Sequence, residues 1–183
     1  MQQEISSFGN KPRLLLHCCC APCSSAVIER IKQYFNITFY YYNPNIYPEQ
    51  EFELRKTEFK KLGIDVVSEE YNHQEFLNVV KGLENEEEGG GRCRVCIAQR
   101  LNKTFDYAKA NGYDVVTTTL SISPHKDAEF INTLGEQLEK KFNVKFLHAD
   151  FKKQNGYLRS IELCKELGIY RQDYCGCEFT KQK

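Results

Sequence analysis

Residues 17–23 read His-Cys-Cys-Cys-Ala-Pro-Cys, one imidazole and four thiols in seven positions. Further along, GGGRCRVC carries Cys93 and Cys96 as a Cys-x-x-Cys, and YCGC carries Cys175 and Cys177 as a Cys-x-Cys. A core accepts cysteine as a small hydrophobe, but reactivity usually decides where it is kept. Of the nine cysteines only Cys164, inside the helical pattern SIELCKELG, stands apart, and it reads as packing. Thiolates near a helix N-terminus gain from the unpaired N–H groups and the dipole, which favours metal ligation or nucleophilic use. Cys23 after Pro22 and Cys93 after Gly91 and Arg92 have that context.

A closed zinc site of four cysteines that pins loops is the plainest chemistry for such a set. The other eight cysteines exceed what one tetrahedral site takes, and a chain of 183 residues has no need of a metal staple to build a core. A functional metal or redox centre follows, and cysteine-only ligation suits iron–sulfur clusters, which move electrons where zinc does not. Neighbours on an extended strand face opposite ways. At most two of Cys18, Cys19 and Cys20 therefore serve one centre unless the chain bends there.

The elements that must position these thiols alternate. RLLLH (13–17) is a continuous apolar run of buried-strand type, CSSAVIERIKQYF (23–35) has one apolar helical face, and ITFYYY (37–42) is a β-branched and aromatic strand stopped by NPN. The spacing then predicts a helix over 48–63, a strand over 64–67, a short helix near 73–81, and a solvated loop in ENEEEGGGR. A helix over 93–110, a strand over 113–120, a helix near 127–141, a strand over 144–149 and a helix near 157–167 follow. Strands alternating with helices argue for a single α/β domain over 1–183: a mostly parallel, five-stranded, Rossmann-like sheet with helices on both faces and a cysteine-rich C-terminal tail. Sites in such folds lie outside the carboxyl ends of the strands, which is where HCCCAPC, YNPNIYP, TLSISPHK and ADFKK fall.

Formal net charge is zero, with 25 Lys and Arg against 25 Asp and Glu; the tail from 151 is mildly basic and ENEEE at 84–88 is acidic. A strongly basic nucleic-acid module is thereby disfavoured. No window approaches the roughly 20 apolar residues of a membrane span, and MQQEISSFGNKPR holds no apolar stretch of signal-peptide length. The expectation is a soluble, cytoplasmic protein.

The stretches LLLHCCCAPC, YYNPNIYPEQEFELR, GGGRCRVC, TTLSISPHK, DFKK and YRQDYCGC, in this order and across nearly the whole chain, resemble the cobalamin-independent epoxyqueuosine reductases of the QueH type. That family's signature of His, any residue, Cys, Cys, Ala or Gly, Pro, Cys falls on His17, Cys19, Cys20 and Cys23, with Cys18 at the variable position. The resemblance implies that Cys19, Cys20, Cys93 and Cys96 bind a 4Fe-4S cluster and that Cys175 and Cys177 are a redox-active thiol pair. It also implies that Cys23 and Asp150 hold the cluster's surroundings or an additional iron or other divalent metal ion. The implied reaction is the last step of queuosine formation at the tRNA wobble position, removal of an epoxide oxygen with two electrons and two protons. The implied partners are tRNA carrying epoxyqueuosine in its anticodon loop and an electron donor that the sequence does not name.

His17 is a candidate proton donor to the leaving oxygen, with hydrogen-bonded support of the strand end as its equal alternative. Cys175 and Cys177 are alternatively both metal ligands. His125 is loop-borne and a candidate substrate contact, while His73 and His148 read as structural. Tyr41, Tyr42, Tyr47, Tyr170 and Tyr174 are candidates for stacking on bases, and Arg55, Lys126, Lys152, Lys153, Arg159 and Arg171 for phosphate contacts. Two other functions fit parts of the pattern. An ATP-using tRNA thiolase would need a Gly-rich phosphate loop where HCCCAPC stands; a zinc-stapled RNA-binding module would need a basic patch.

Overall fold

A computed structural model describes residues 11–181. Five strands, β1 (Arg13–His17), β2 (Asn36–Tyr41), β3 (Val66–Ser68), β4 (Val115–Thr118) and β5 (Lys145–Phe146), form one sheet in the order β3-β2-β1-β4-β5. Every pairing is parallel. The helices are α1 (Ala21–Ile31), α2 (Glu49–Thr57), α3 (His73–Val80), α4 (Gly91–Ala110), α5 (Ala128–Phe142), α6 (Gly156–Glu166) and α7 (Glu178–Lys181), with 3-10 turns at Glu58–Leu62 and Thr119–Ile122. The expectation that MQQEISSFGNKPR holds no signal-peptide segment falls, for residues 1–10, outside the described residues.

The unbroken apolar run of β1 has a direct cause. Leu14 and Leu16 face a layer that contains Val27 and Ile31 of α1 and Leu163 of α6, while Leu15 faces Ile97, Leu101 and Phe105 of α4 and Ile131 of α5. A strand covered on both sides has no polar face to show. β4 divides the same way, Val115 to the first layer and Val116 to the second. β1 lies between β2 and β4, so successive connections leave to opposite sides there, and the crevice opens beyond the carboxyl ends of β1 and β4.

Two expected elements differ. The strand predicted over 144–149 keeps only Lys145–Phe146: Leu147 N still donates to Val116 O (2.9 Å), but the Thr117 hydroxyl takes Leu147 O (3.0 Å) and Asn132 accepts from Ala149 N (3.1 Å), so side chains replace the ladder from there on. The helix predicted over 48–63 tightens to 3-10 geometry after Thr57. There Glu58, nearly buried, turns its carboxylate to Tyr170 N (2.6 Å) and Lys61 (2.8 Å), tying this turn to the C-terminal tail. No described helix is long and apolar enough to cross a membrane.

Candidate metal and redox site

The chain bends at Cys19 as it leaves β1. Cys18 still continues the ladder, its N–H donating to Tyr40 O (2.9 Å), and its side chain is buried in the α1 layer with the thiol on Leu16 O (3.3 Å). Burial pushes this thiol far above the ordinary value. Cys20 is the N-cap of α1, Pro22 occupies the first turn, where its missing N–H costs nothing, and Cys23 follows it. The bend and the helix start turn Cys19, Cys20 and Cys23 to one side, with their sulfurs all within 4.8 Å of one another. Cys19 Sγ and Cys20 Sγ are 3.7 Å apart, and Gln172 donates to Cys20 Sγ (3.1 Å). Three thiols this close do not ionise together. Hydrogen bonds from Cys20 and Cys23 hold Cys19 well below the usual thiol range; the contact with Cys19, together with burial, pushes Cys20 up to about 12, and the contacts with Cys19 and Cys20 push Cys23 well above an ordinary thiol.

Cys93 stands at the same place in α4 as Cys23 does in α1, third in the first turn. No side chain caps the start of α1, where Pro22 has no N–H to offer, while at the start of α4 the Glu86 carboxylate accepts from Gly91 N (3.0 Å). Gly89, at φ +92°, donates its N–H to Cys93 Sγ (3.2 Å), and a Cβ on Gly90 would meet Glu86 Oε2 at 2.5 Å. Cys96, one turn on, is buried beside Cys177, Phe76 and Val80, and burial raises its thiol to about 11. Cys93 and Cys96 do not join the Cys19, Cys20 and Cys23 trio within 4.8 Å, and neither does Asp150. The Asp150 carboxylate accepts from Lys152 N (3.2 Å) and pairs with Lys152 Nζ (3.4 Å).

The tail brings Cys175 to the trio. Arg55, 2% exposed, is held by Glu51 (2.7 Å), donates to Cys175 O (3.0 Å) and Tyr174 O (3.3 Å), and lies 5.0 Å from the Tyr174 ring centroid. Gly176 adopts φ +121°, where a Cβ would sit 3.0 Å from both Arg55 Nη1 and Ile46 Cγ1, and its carbonyl accepts from Tyr47 N (2.9 Å). The turn sends the two thiols to different places. Cys175 lines a cavity of about 490 Å³ with Cys19, Cys23, Lys126 and His125, whereas Cys177 is buried with Cys96. Both are free thiols.

Two cations stand among these sulfurs, and sequence reasoning assigned one a surface role and passed over the other. Lys126, 8% exposed, lines the cavity, with Glu88 its carboxylate partner at 3.4 Å. Burial works against its charge, but Cys175 and Cys93 outweigh that and hold its pKa above the ordinary lysine value. Arg100 is 2% exposed and donates to Cys96 O (3.2 Å) and Asn43 Oδ1 (3.4 Å), while Asn43 donates to Cys18 O (2.8 Å). Its one signal in the sequence was its spacing, four residues after Cys96 on the same helical face.

His17 closes β1 fully buried. Its Nε2 donates to Tyr42 O (3.1 Å), which fixes the tautomer, so Nδ1 accepts from the Thr118 hydroxyl (2.9 Å). Burial, with Arg100 nearby, lowers its pKa to about 4. Both ring nitrogens are engaged, and the ring is not among the residues lining the cavity. Of the phosphate candidates Arg55, Lys126 and Arg171 line the cavity, Arg55 while engaged in the tail clamp; Arg159 is held by Glu29, Glu162 and Glu166, and Lys152 donates to Ser121 O and Lys126 O. Arg171 reaches the cavity rim through Tyr157. Tyr41 and Tyr42 are core residues, with hydroxyls on Phe52 O and Glu75; Tyr174 lines the cavity.

The family model described as "Epoxyqueuosine reductase QueH" matches residues 14–183. A protein named "Epoxyqueuosine reductase QueH" from Streptococcus pyogenes serotype M1 is 44% identical over 180 residues, 93% of this chain and 71% of that protein. Proteins of the same name from Staphylococcus epidermidis and Thermotoga maritima are 42% and 37% identical, over 96% and 91% of this chain and 79% and 89% of theirs. With a matching family model over almost its whole length and relatives well above 30% identity, this chain belongs to the QueH epoxyqueuosine reductase family.

Proposed function

We propose that this chain, as one domain over 1–183, removes the epoxide oxygen of epoxyqueuosine in the anticodon loop of tRNA, the last step of queuosine formation, in the cytoplasm. The observation that carries the reading is the cluster of Cys19, Cys20 and Cys23 at the carboxyl edge of the sheet, with Cys19 and Cys23 sharing one cavity with Cys175, in a member of this family.

The donor set fits a cysteine-held iron–sulfur group. Its sulfurs are soft ligands, Cys23 and Cys93 sit in the first turns of two helices, and buried Arg100 and Lys126 supply positive charge that neutral thiols do not use. Cys19, Cys20, Cys93 and Cys96 would hold a 4Fe-4S cluster, and Cys23 with Asp150, once released from Lys152, an additional iron or other divalent ion. Such a group supplies low-potential electrons and a Lewis acid when bound.

The chain's own residues do the rest. Cys175 presents a thiol to the cavity; once Cys177 swings about Gly176 from its place beside Cys96 to meet it, the pair closes to a disulfide and gives up two electrons and two protons. Lys126 puts an ammonium donor in the same cavity, where it meets an oxygen gaining negative charge. His17, neutral and doubly bonded, supports the β1–β4 edge rather than moving a proton. Tyr174, His125 and Arg171 stand on the cavity wall where a splayed nucleotide would enter. The electrons come from a donor still to be identified.

Reconstitution with iron and sulfide under anaerobic conditions tests the cofactor. A brown, oxygen-sensitive protein with iron and acid-labile sulfide is expected; a colourless protein that retains only zinc contradicts it.

A further inference from the structure

Arg100 is a buried cation that, among the described residues, has no Asp or Glu as a bonded partner. Among the described residues its bonds go to a peptide carbonyl and to the amide oxygen of Asn43, at 3.2 and 3.4 Å, and the titratable groups that act on it most strongly are the thiols of Cys96, Cys175, Cys19 and Cys93. The contrast with Arg55 is direct: equally buried, it has the Glu51 carboxylate at 2.7 Å. A guanidinium does not shed its proton to escape burial, and an uncompensated buried charge costs several kcal/mol. Such a residue is destabilising unless something negative arrives beside it.

We propose that Arg100 is the built-in counter-charge of the cysteine-held cofactor, so that the cofactor's negative charge compensates the guanidinium and the guanidinium in turn favours the more reduced, more negative state of the cofactor. The inference rests on the reading that an iron–sulfur group is held here, and it goes further in assigning a residue that ligates nothing to the control of its potential. The geometry supports a fixed role. Arg100 is four residues from Cys96 on α4, bonded to that residue's own carbonyl, and reaches Asn43, which in turn holds the carbonyl of Cys18 at the root of the other thiol group. It therefore lies where both halves of the site meet.

The test uses the full chain, with Arg100→Gln, which keeps hydrogen-bond donors without charge, and Arg100→Lys, which keeps charge. Two quantities are read: the midpoint potential of the reconstituted protein, by dye equilibration, and the melting temperature of the metal-free protein. The Gln variant is expected to disfavour reduction at least tenfold, which is about 59 mV more negative for one electron, and to melt, metal-free, no lower than wild type. The Lys variant should show less than half that shift. A Gln variant that folds but loses iron while the Lys variant keeps it supports the same role. Equal potentials in wild type and Gln variant, equal shifts in Gln and Lys, or a metal-free Gln variant that melts below wild type would each overturn the proposal. Wild-type protein that takes up no iron overturns the cofactor reading instead.

Discussion

At the residue scale the three adjacent cysteines are not equivalent. Cys18 points into the apolar layer of α1, while Cys19 and Cys20 turn to meet Cys23. Cys18→Ala should keep the full iron content of reconstituted protein and lose about 1 kcal/mol of stability from the small void; Cys19→Ala should lose iron. Iron assays on the two variants decide, and loss of iron from Cys18→Ala would contradict the assignment. His17 gives a second residue-scale expectation. Its pKa is lowered from 6.5 to about 4 in the native protein, so the unfolded chain binds the extra proton first as pH falls. The stability it contributes is complete above pH 6.5 and is lost between there and about 4, on the order of 3 kcal/mol in all. Denaturant titrations at neutral pH and near pH 4.5 should show this part of the loss in wild type and not in His17→Gln.

At the element scale the tail is a part added to the sheet and fixed by α2 and its 3-10 extension. Arg55, Glu51 and Glu58 accept or donate to Cys175, Tyr174 and Tyr170, and Gly176 is the one residue whose φ of +121° lets the chain turn between the two thiols. Gly176→Ala puts a Cβ 3.0 Å from Arg55 Nη1 in a backbone region that side chains rarely adopt. The expected result is retained iron with turnover reduced at least tenfold and altered alkylation of Cys175; unchanged turnover would show that the turn does not set the thiol. Sequence reading reached the helices and strands here because apolar runs and periodicity report burial directly. It placed Arg55 on phosphate because a guanidinium looks the same in sequence whether solvated or clamped, and only the fold shows that the tail returns to cover it. It could not see the shortening of β5, since the Thr117 and Asn132 side chains that take Leu147 O and Ala149 N belong to other elements.

At the scale of the whole molecule the topology does most of the positioning. A parallel sheet with β1 and β4 side by side brings the loops after both strands to one edge, and the starts of α1 and α4 come with them. The cysteine groups were legible as groups, and the crevice was legible from the alternation of strands and helices. The trio of Cys19, Cys20 and Cys23 was legible through the family signature, while the bend at Cys19 that brings it together was only a condition; Arg100 was not legible, because its meaning lies in having no carboxylate partner among the described residues. The alternatives weaken on the same ground: the place of a phosphate loop is filled by thiols, and the cavity is lined by cysteine and buried cations rather than by an exposed basic surface.

The central claim is tested most directly by the mass of the nucleoside. Reconstituted protein, epoxyqueuosine-containing tRNA and a reduced viologen are incubated without oxygen, and the tRNA is digested and analysed by mass spectrometry. The account predicts conversion of epoxyqueuosine to a product lighter by one oxygen, abolished in Cys19→Ala and Cys175→Ala. Epoxyqueuosine recovered unchanged from iron-loaded, folded wild-type protein would contradict it.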